Sequence, residues 1–426
     1  MKLRRGSRRV RLLQPVLRPV AGRSVPFELR PGRVGRIAEK FGGLEDPAFE
    51  VLLRRITQSP ITSQNRVELF FQAEAAFAAM IEAIAAAREE VLAESYIFRD
   101  DAAGRRLLEA LRAAVARGVT VRVLADAVGS FGTRSRLWGE MAASGIDTRL
   151  FQPILSSLFT QHYRDHRKIL VVDRSIGFTG GVNIGEEWVP RLRRLRGEPA
   201  AWRDTHARVE GPAAWELAVV FSEGWSRAGG REISFDPLPA PDPGGLGVLV
   251  LDSWPGRGHV ETASVLSAIV GGARRRVWIT NSYFAPKPRT IALLGRAARR
   301  GLDVRLLLPG PTDVPLVRHA GHGYFRALLR RGVRVFEYQP AILHAKTLVA
   351  DDTITLVGSS NLDFRSFHYN AECNLVIVGS GPAGRMVEAF ERDLAASVEI
   401  TRAAWRNRGK LHRLGDILAR NLSPLL

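Results

Sequence analysis

Two histidines in this chain open the same word. His166-x-Lys168-x4-Asp173 recurs as His344-x-Lys346-x4-Asp351, and Asn183 and Asn361 each follow their histidine by 17 residues, after GG and GSS. Along a strand, residues i and i+2 face the same way, so each histidine and its lysine project to one side. An imidazole is a good nucleophile near neutral pH, and a second one can protonate a leaving alkoxide. Two lysines would hold the nonbridging oxygens of a phosphate and stabilise the charge of its pentavalent transition state. A glycine-rich turn before asparagine lets backbone N–H groups and a side-chain amide approach an anion. Together these residue types suit phosphoryl transfer through a covalent histidine.

Lysine is scarce here. Of 62 basic residues only six are lysines: Lys2, Lys40, Lys168, Lys287, Lys346 and Lys410. Two of the six stand in the motifs. Lysine is a compact point charge and arginine a planar fork, so these positions read as places where arginine will not serve. Metal chemistry is not indicated. His319 and His322 are three apart but lack a neighbouring carboxylate in sequence, and no cysteine set exists. No metal or cofactor is expected.

The elements that must position the motifs are also written twice. Gln72–Phe98 matches Glu261–Phe284, Leu111–Asp126 matches Leu294–Gly310, Gly145–Pro153 matches Gly332–Pro340, and His166–Asn183 matches His344–Asn361. The offset drifts between 178 and 187, which marks a duplication with small insertions. In the first copy Ala73, Phe77, Met80, Ile81 and Ile84 recur at helical spacing. Val91–Phe98 then reads as a strand, Arg105–Ala116 as a helix ended by Gly118, and Val119–Leu124 as a β-branched strand. Ile169–Val172 and Ile176–Thr179 form a short strand pair with the character of a hairpin. The alternation predicts a duplicated α/β fold with sheets covered by helices. The expected division is a basic arm and lead-in over 1–66, a first domain over 67–236, a Pro/Gly/Asp-rich linker over 237–247, a second domain over 248–398 and a basic amphipathic segment over 399–426.

Composition sets the outer bounds. Apolar residues make up 46% and charged residues 25% of 426, a globular balance, and the single cysteine excludes a disulfide scaffold. Cys373 reads as a buried apolar filler. The formal charge of +19 leaves nucleic acid and anionic membrane as candidate partners. The most apolar stretch, Phe70–Ala87, carries Glu74 and Glu82, so no transmembrane helix is expected.

Paired H-x-K-x4-D motifs followed by G-[GS]-x-N resemble the phospholipase D superfamily, over about Phe70 to Ala395. That resemblance implies two α/β/α sandwich domains that meet face to face at a pseudo-twofold axis and build one site. It implies that one motif histidine is the nucleophile and the other the acid and then the base, read here as His166 and His344 although the near symmetry of the copies leaves the order open, with Lys168 and Lys346 on the phosphate and Asn183 and Asn361 beside it. It implies an acid that orients each imidazole. Glu372, in NAE, follows His344 by 28 residues, and Asp204 is its counterpart when the GPA words at Gly211–Ala213 and Gly381–Ala383 are aligned. Asp173 and Asp351 carry over as support for local structure and the lysines. The words SYIF, DHRKILVVD and SSNLDFRSFHYNAE are similar to bacterial cardiolipin synthases, of a shorter type without membrane-spanning N-terminal segments. The implied substrate is phosphatidylglycerol, on the cytoplasmic face of the cell membrane, with no obligate protein partner. Hydrolysis or headgroup exchange by the same mechanism, a nuclease, and a non-catalytic membrane-binding protein are the alternatives; nucleic acid is disfavoured by the local words.

Three stretches mix apolar anchors with positive charge, as interfacial segments do. They are the N-terminal arm (Arg4 to Leu17), the insertion from Trp188 to Arg196, and the C-terminal segment with Trp405, Leu411, Leu414, Leu418 and Leu422.

Overall fold

A computed structural model describes residues 30–153, 162–189, 201–238, 244–255 and 259–421. The first half supplies β1 (Thr62–Phe70), β2 (Glu90–Ser95), β3 (Thr120–Asp126), β4 (Asp147–Phe151), β5 (Arg164–Asp165), β6 (Lys168–Val172), β7 (Ile176–Gly180) and β8 (His206–Glu210). The second supplies β9 (Leu246–Ser253), β10 (Arg276–Thr280), β11 (Asp303–Pro309), β12 (Arg334–Tyr338), β13 (Thr347–Ala350), β14 (Ile354–Gly358), β15 (Asn370–Val378) and β16 (Ser397–Glu399). Strands β2, β3 and β4 run parallel, as do β10, β11 and β12, because a helix crosses between each pair. The motif strands β6 and β13 each continue into an antiparallel hairpin, with β7 and β14.

The two half-sheets join. The strand order runs β16-β12-β11-β10-β13-β14-β15-β9-β1-β8-β7-β6-β2-β3-β4, and β1 meets β9 in antiparallel register at its centre. Three apolar layers follow from this. One, with Phe77, Leu107, Leu111 and Met141, packs the outer helices of the first half. A second, with Ile269, Leu294 and Phe325, does the same for the second half. The third draws Val209, Leu217 and Phe221 from one half and Val250, Leu375 and Phe390 from the other. The helices Pro212–Arg227 and Ser380–Ala395 lie in this shared layer. Each half is therefore an α/β/α sandwich, and the two share one core between them.

The lead-in differs from the expected arm. Helices Pro31–Ala38 and Pro47–Thr57 put Val34, Ala38, Phe49, Leu52, Leu53 and Ile56 into the second half's outer core. Strand β1 begins at Thr62, and β9 already begins at Leu246, inside the expected linker. Arginines dominate the solvent faces of the lead-in helices and hid their apolar stripes in sequence. Helix Pro31–Ala38 sits on helix His259–Gly272 through glycines: a Cβ on Gly271 would lie 2.2 Å from the Gly35 carbonyl oxygen. Gly271→Val should therefore push that helix off and cost about 1–3 kcal/mol of stability. Chemical denaturation measures this, and a variant as stable as the parent would contradict the packing.

Candidate active site

Each half delivers its motif to the join. His166 lies between β5 and β6, and His344 three residues before β13. The His166 N–H donates to the Ala371 carbonyl at 2.9 Å, and the His344 N–H donates to the Arg203 carbonyl at 2.8 Å. The residue after each acceptor is a carboxylate, Glu372 or Asp204. His166 Nδ1 lies 3.0 and 3.1 Å from the two Glu372 oxygens, and His344 Nδ1 lies 2.7 Å from Asp204 Oδ2. The acids are thus exchanged: the second half's Glu372 orients the first half's histidine, and the first half's Asp204 orients the second's. Placing each acid by its own half's histidine had not shown this crossing.

Both acids are fully buried and ionised. Burial pushes the Glu372 carboxyl up, but His166, Lys168 and the Ser359 hydroxyl outweigh it, and the group sits below its ordinary value. Asp204 is held well below the carboxylate range against its burial, by His344, Lys346 and the Thr205 N–H. An ionised acceptor makes Nδ1–H the donor, so Nε2 of each ring carries the free lone pair. Burial also lowers both histidines, with Lys346 adding to the effect at His344, which falls to about 4. In the free site both rings are neutral.

The lysines are equally enclosed. Lys168 Nζ donates to its own histidine's carbonyl at 2.6 Å, and Lys346 Nζ donates to the His344 carbonyl. Each ammonium also lies near a tyrosine ring, Tyr96 at 5.4 Å and Tyr283 at 6.0 Å. Burial brings Lys168 down to about 7, with the Lys346 charge adding to the effect, and burial brings Lys346 to about 8 against the pull of Asp204 and Glu372. Asn183 accepts from the Ile97 N–H at 3.1 Å, and its buried amide nitrogen has no partner among the described residues. That nitrogen is a donor ready for a phosphate oxygen. Asn361 is tied differently, accepting from the Ser282 hydroxyl at 2.7 Å.

One expectation needs correction. The glycine turns do not present their N–H groups to an anion, since Gly181 donates to Thr205 and Ser359 to Cys373. In the first turn the glycine makes room for a carboxylate, since a Cβ on Gly181 would lie 2.0 Å from Asp204 Oδ1; in the second the Ser359 hydroxyl donates to Glu372 at 2.5 Å. Asp173 and Asp351 bond to nearby backbone. Each stands in left-handed backbone after its motif strand and accepts from three successive N–H groups, of residues 88–90 or 274–276. They fix the start of β2 and β10 and so act as positioning residues at the far end of β6 and β13.

Several site residues escaped the sequence reading. Trp188, taken as an interfacial anchor, is buried, donates from Nε1 to Asp204 at 2.9 Å and packs on His344 with Trp202. Tyr96 and Tyr283 stand at matching places in the two SYF-like words, a repeat signal that could have found them. Arg167 had no such signal, because Ala345 replaces it in the second copy. It is fully buried, paired with both oxygens of Asp165 at 3.0 Å and with Glu94 at 2.7 Å, and lies over the Trp254 ring.

The expected anchors are partly answered. Trp405 is buried against Phe325 and His322, and Leu418 is exposed. The N-terminal arm, residues 190–200, Leu422 and the side chains of Leu411 and Leu414 lie outside the described residues. No described helix is long and apolar enough to cross a membrane. The fold also supplies the carboxylate that His319 and His322 lack in sequence: Asp416, whose oxygen approaches them within 4.8 Å. That cluster is occupied by its own pairs, His319 with Asp416 at 3.0 Å, His322 with Glu337 at 2.8 Å and Arg408 with Asp416 at 2.6 Å. It fastens the helix Lys410–Asn421 to Pro315–Arg330.

A family model described as "Cardiolipin synthase, PLD-like domain" matches residues 80–192 and 266–394, one stretch in each half. The chain belongs to the cardiolipin synthase family. It is 39% identical to a cardiolipin synthase A of Pseudomonas aeruginosa, over 88% of this chain and 76% of that protein. It is 33% identical to a cardiolipin synthase 1 of Bacillus anthracis, over 94% and 78%. In fold it is similar to the crystal structure of phosphatidylserine synthase from Haemophilus influenzae, with a TM-score of 0.66 at 13% identity, over 89% of this chain and 98% of that one. Membership makes it a phosphatidyltransferase that works by paired-histidine chemistry.

The lysines give a test through stability. Unfolded, Lys168 keeps its proton to about pH 10.5; folded, it loses it above about 7. The folded state then binds fewer protons, so this group's contribution to stability rises with pH between those values, and its cost is complete below 7. Lys168→Met should abolish turnover yet raise the melting temperature at pH 6, with the gain shrinking toward pH 10. A variant less stable than the parent at pH 6 would refute the buried-charge account.

Proposed function

We propose that this chain joins two phosphatidylglycerols into cardiolipin. His166 Nε2 attacks the phosphorus of the first while Lys168, Lys346 and the free amide of Asn183 hold its nonbridging oxygens. The P–O bond to glycerol breaks, and His344 gives that alkoxide a proton. His344 then takes the proton from the free hydroxyl of the second phosphatidylglycerol, whose oxygen attacks phosphorus and releases His166. Glycerol and cardiolipin leave, and both rings end as they began. Asp173 and Asp351 serve by positioning alone.

The observation that carries this reading is the pair of imidazoles, each with Nδ1 fixed on a buried carboxylate beside a buried lysine. One feature favours His344 as the acid: its bond to Asp204 is the shorter. In the free site burial and Lys346 keep that ring neutral. The bound phosphodiester offsets the lysine charge and lets His344 hold its proton. The charge of +19 suits a peripheral protein on the anionic cytoplasmic face of the membrane, where the substrate lies.

Labelled phosphatidylglycerol tests this directly. Purified protein should yield cardiolipin and glycerol in equal amounts, and His166→Ala should lose both turnover and the phosphatidyl adduct, while His344→Ala traps adduct. Phosphatidic acid as the sole product would defeat the transferase reading; an adduct persisting in His166→Ala would exchange the histidine roles.

A further inference from the structure

In the proposed reaction two phosphates enter the site, and the residues above account for one. The reacting phosphate lies between Lys168 and Lys346. The acceptor carries a second negative phosphate, a three-carbon tether away from the hydroxyl that attacks, and it too needs a cation.

The structure holds a second cation group on the loops that carry Tyr283 and Asn361. The loops 281–287 and 359–369 are zipped together. Phe284 bridges Leu362, the Ala285 N–H donates to the Leu362 carbonyl at 3.0 Å, and the Leu362 N–H donates to Asn281 at 2.9 Å. Tyr283, beside His344, and Asn361 lie within these same loops. Past the zipper stand Lys287 and Arg289.

Lys287 is one of the six lysines, and its surroundings are unusual. Its ammonium lies 2.5 Å from His368 Nε2. His368 Nδ1 lies 3.0 Å from the Phe364 carbonyl, so Nδ1 must carry the hydrogen and Nε2 accepts from the lysine. The ring is stacked on Phe364 at 4.1 Å, and Lys287 lies 5.1 Å from that same ring. The lysine is thus held by an imidazole and a ring face, both neutral. Arg289 adds a like charge close by, and the helix Pro288–Arg299 has no acid in its first turn. No carboxylate pairs with either cation among the described residues. Burial and the neighbouring arginine lower Lys287 to about 8, the direction expected of a cation fixed in place without its counter-charge. Neutral holding groups orient an ammonium and leave its charge for something else.

We propose that Lys287 and Arg289, with His368 as the positioning residue for Lys287, bind the phosphate of the acceptor phosphatidylglycerol. This inference rests on the two-phosphatidylglycerol reaction proposed above. The pair decides between acceptors. Water and glycerol carry no phosphate and gain nothing from it, whereas an anionic phospholipid is drawn to the histidine adduct with its hydroxyl in reach.

The test compares three acceptors on one adduct. The full chain and the double variant Lys287→Ala/Arg289→Ala are given phosphatidylglycerol vesicles with labelled glycerol. Cardiolipin, phosphatidic acid and label exchanged into phosphatidylglycerol are measured, together with vesicle co-sedimentation. The variant should lose cardiolipin by roughly 10-fold to 100-fold while hydrolysis and glycerol exchange stay within about twofold, with the loss largest in the acceptor KM. Persisting hydrolysis and exchange also show that the variant is folded. His368→Ala should give a smaller loss in the same direction, and His368→Gln, whose amide oxygen can accept from Lys287, should recover part of it. If all three products fall together with vesicle binding, the cations serve the membrane surface and the acceptor assignment is wrong. Unchanged product ratios also overturn it. If the parent protein makes phosphatidic acid and no cardiolipin, the two-lipid reaction fails first and the acceptor assignment falls with it.

Discussion

Each catalytic imidazole depends on a carboxylate from the opposite half of the chain. Glu372 holds His166 and Asp204 holds His344, and the backbone beside each acid also receives that histidine's N–H. Neither half can complete a site alone. A single half would bury an acid with no imidazole and expose an imidazole with no fixed tautomer, and both arrangements are costly. The continuous sheet through β1 and β9 and the shared apolar layer hold the exchange in register. Gly181, before Asn183, follows from the same demand, since Asp204 passes where its side chain would stand.

Charge at the centre is balanced and buried. Two lysines face two carboxylates around two neutral rings, with water largely excluded. Such a centre stores electrostatic cost in the lysines, whose affinity for protons drops by burial. An arriving phosphodiester offsets that cost, which ties substrate binding to catalysis. Lysine suits this better than arginine because its proton affinity responds to burial and its charge is compact.

The duplicated halves have diverged where the site does not constrain them. Arg167, with Asp165 and Glu94, forms a buried ion cluster only in the first half, where the second has Ala345 at the matching place. The second half instead gains two N-terminal helices over its outer face and the helix Lys410–Asn421 held through Asp416. Outside the center, different solutions cover the same sheet.

The sequence by itself determined the duplication, the strand and helix order within each copy, and the paired His-Lys chemistry. These depend on local periodicity and on words repeated at one spacing, and both survive in a linear text. Glu372 and Asp204 were legible as acids, but their crossing was not, because a partner across an interface lies 206 or 140 residues away and leaves no spacing rule. Trp188 looked like an interfacial anchor because the basic run after it dominates its neighbourhood; only folding turns its indole N–H onto Asp204. The lead-in helices hid behind their arginines for the same reason, since an apolar stripe has meaning only once a surface exists to receive it. Residue type fixed which chemistry was possible. Tertiary structure decided which groups meet, because burial and long-range pairing set each tautomer and each charge.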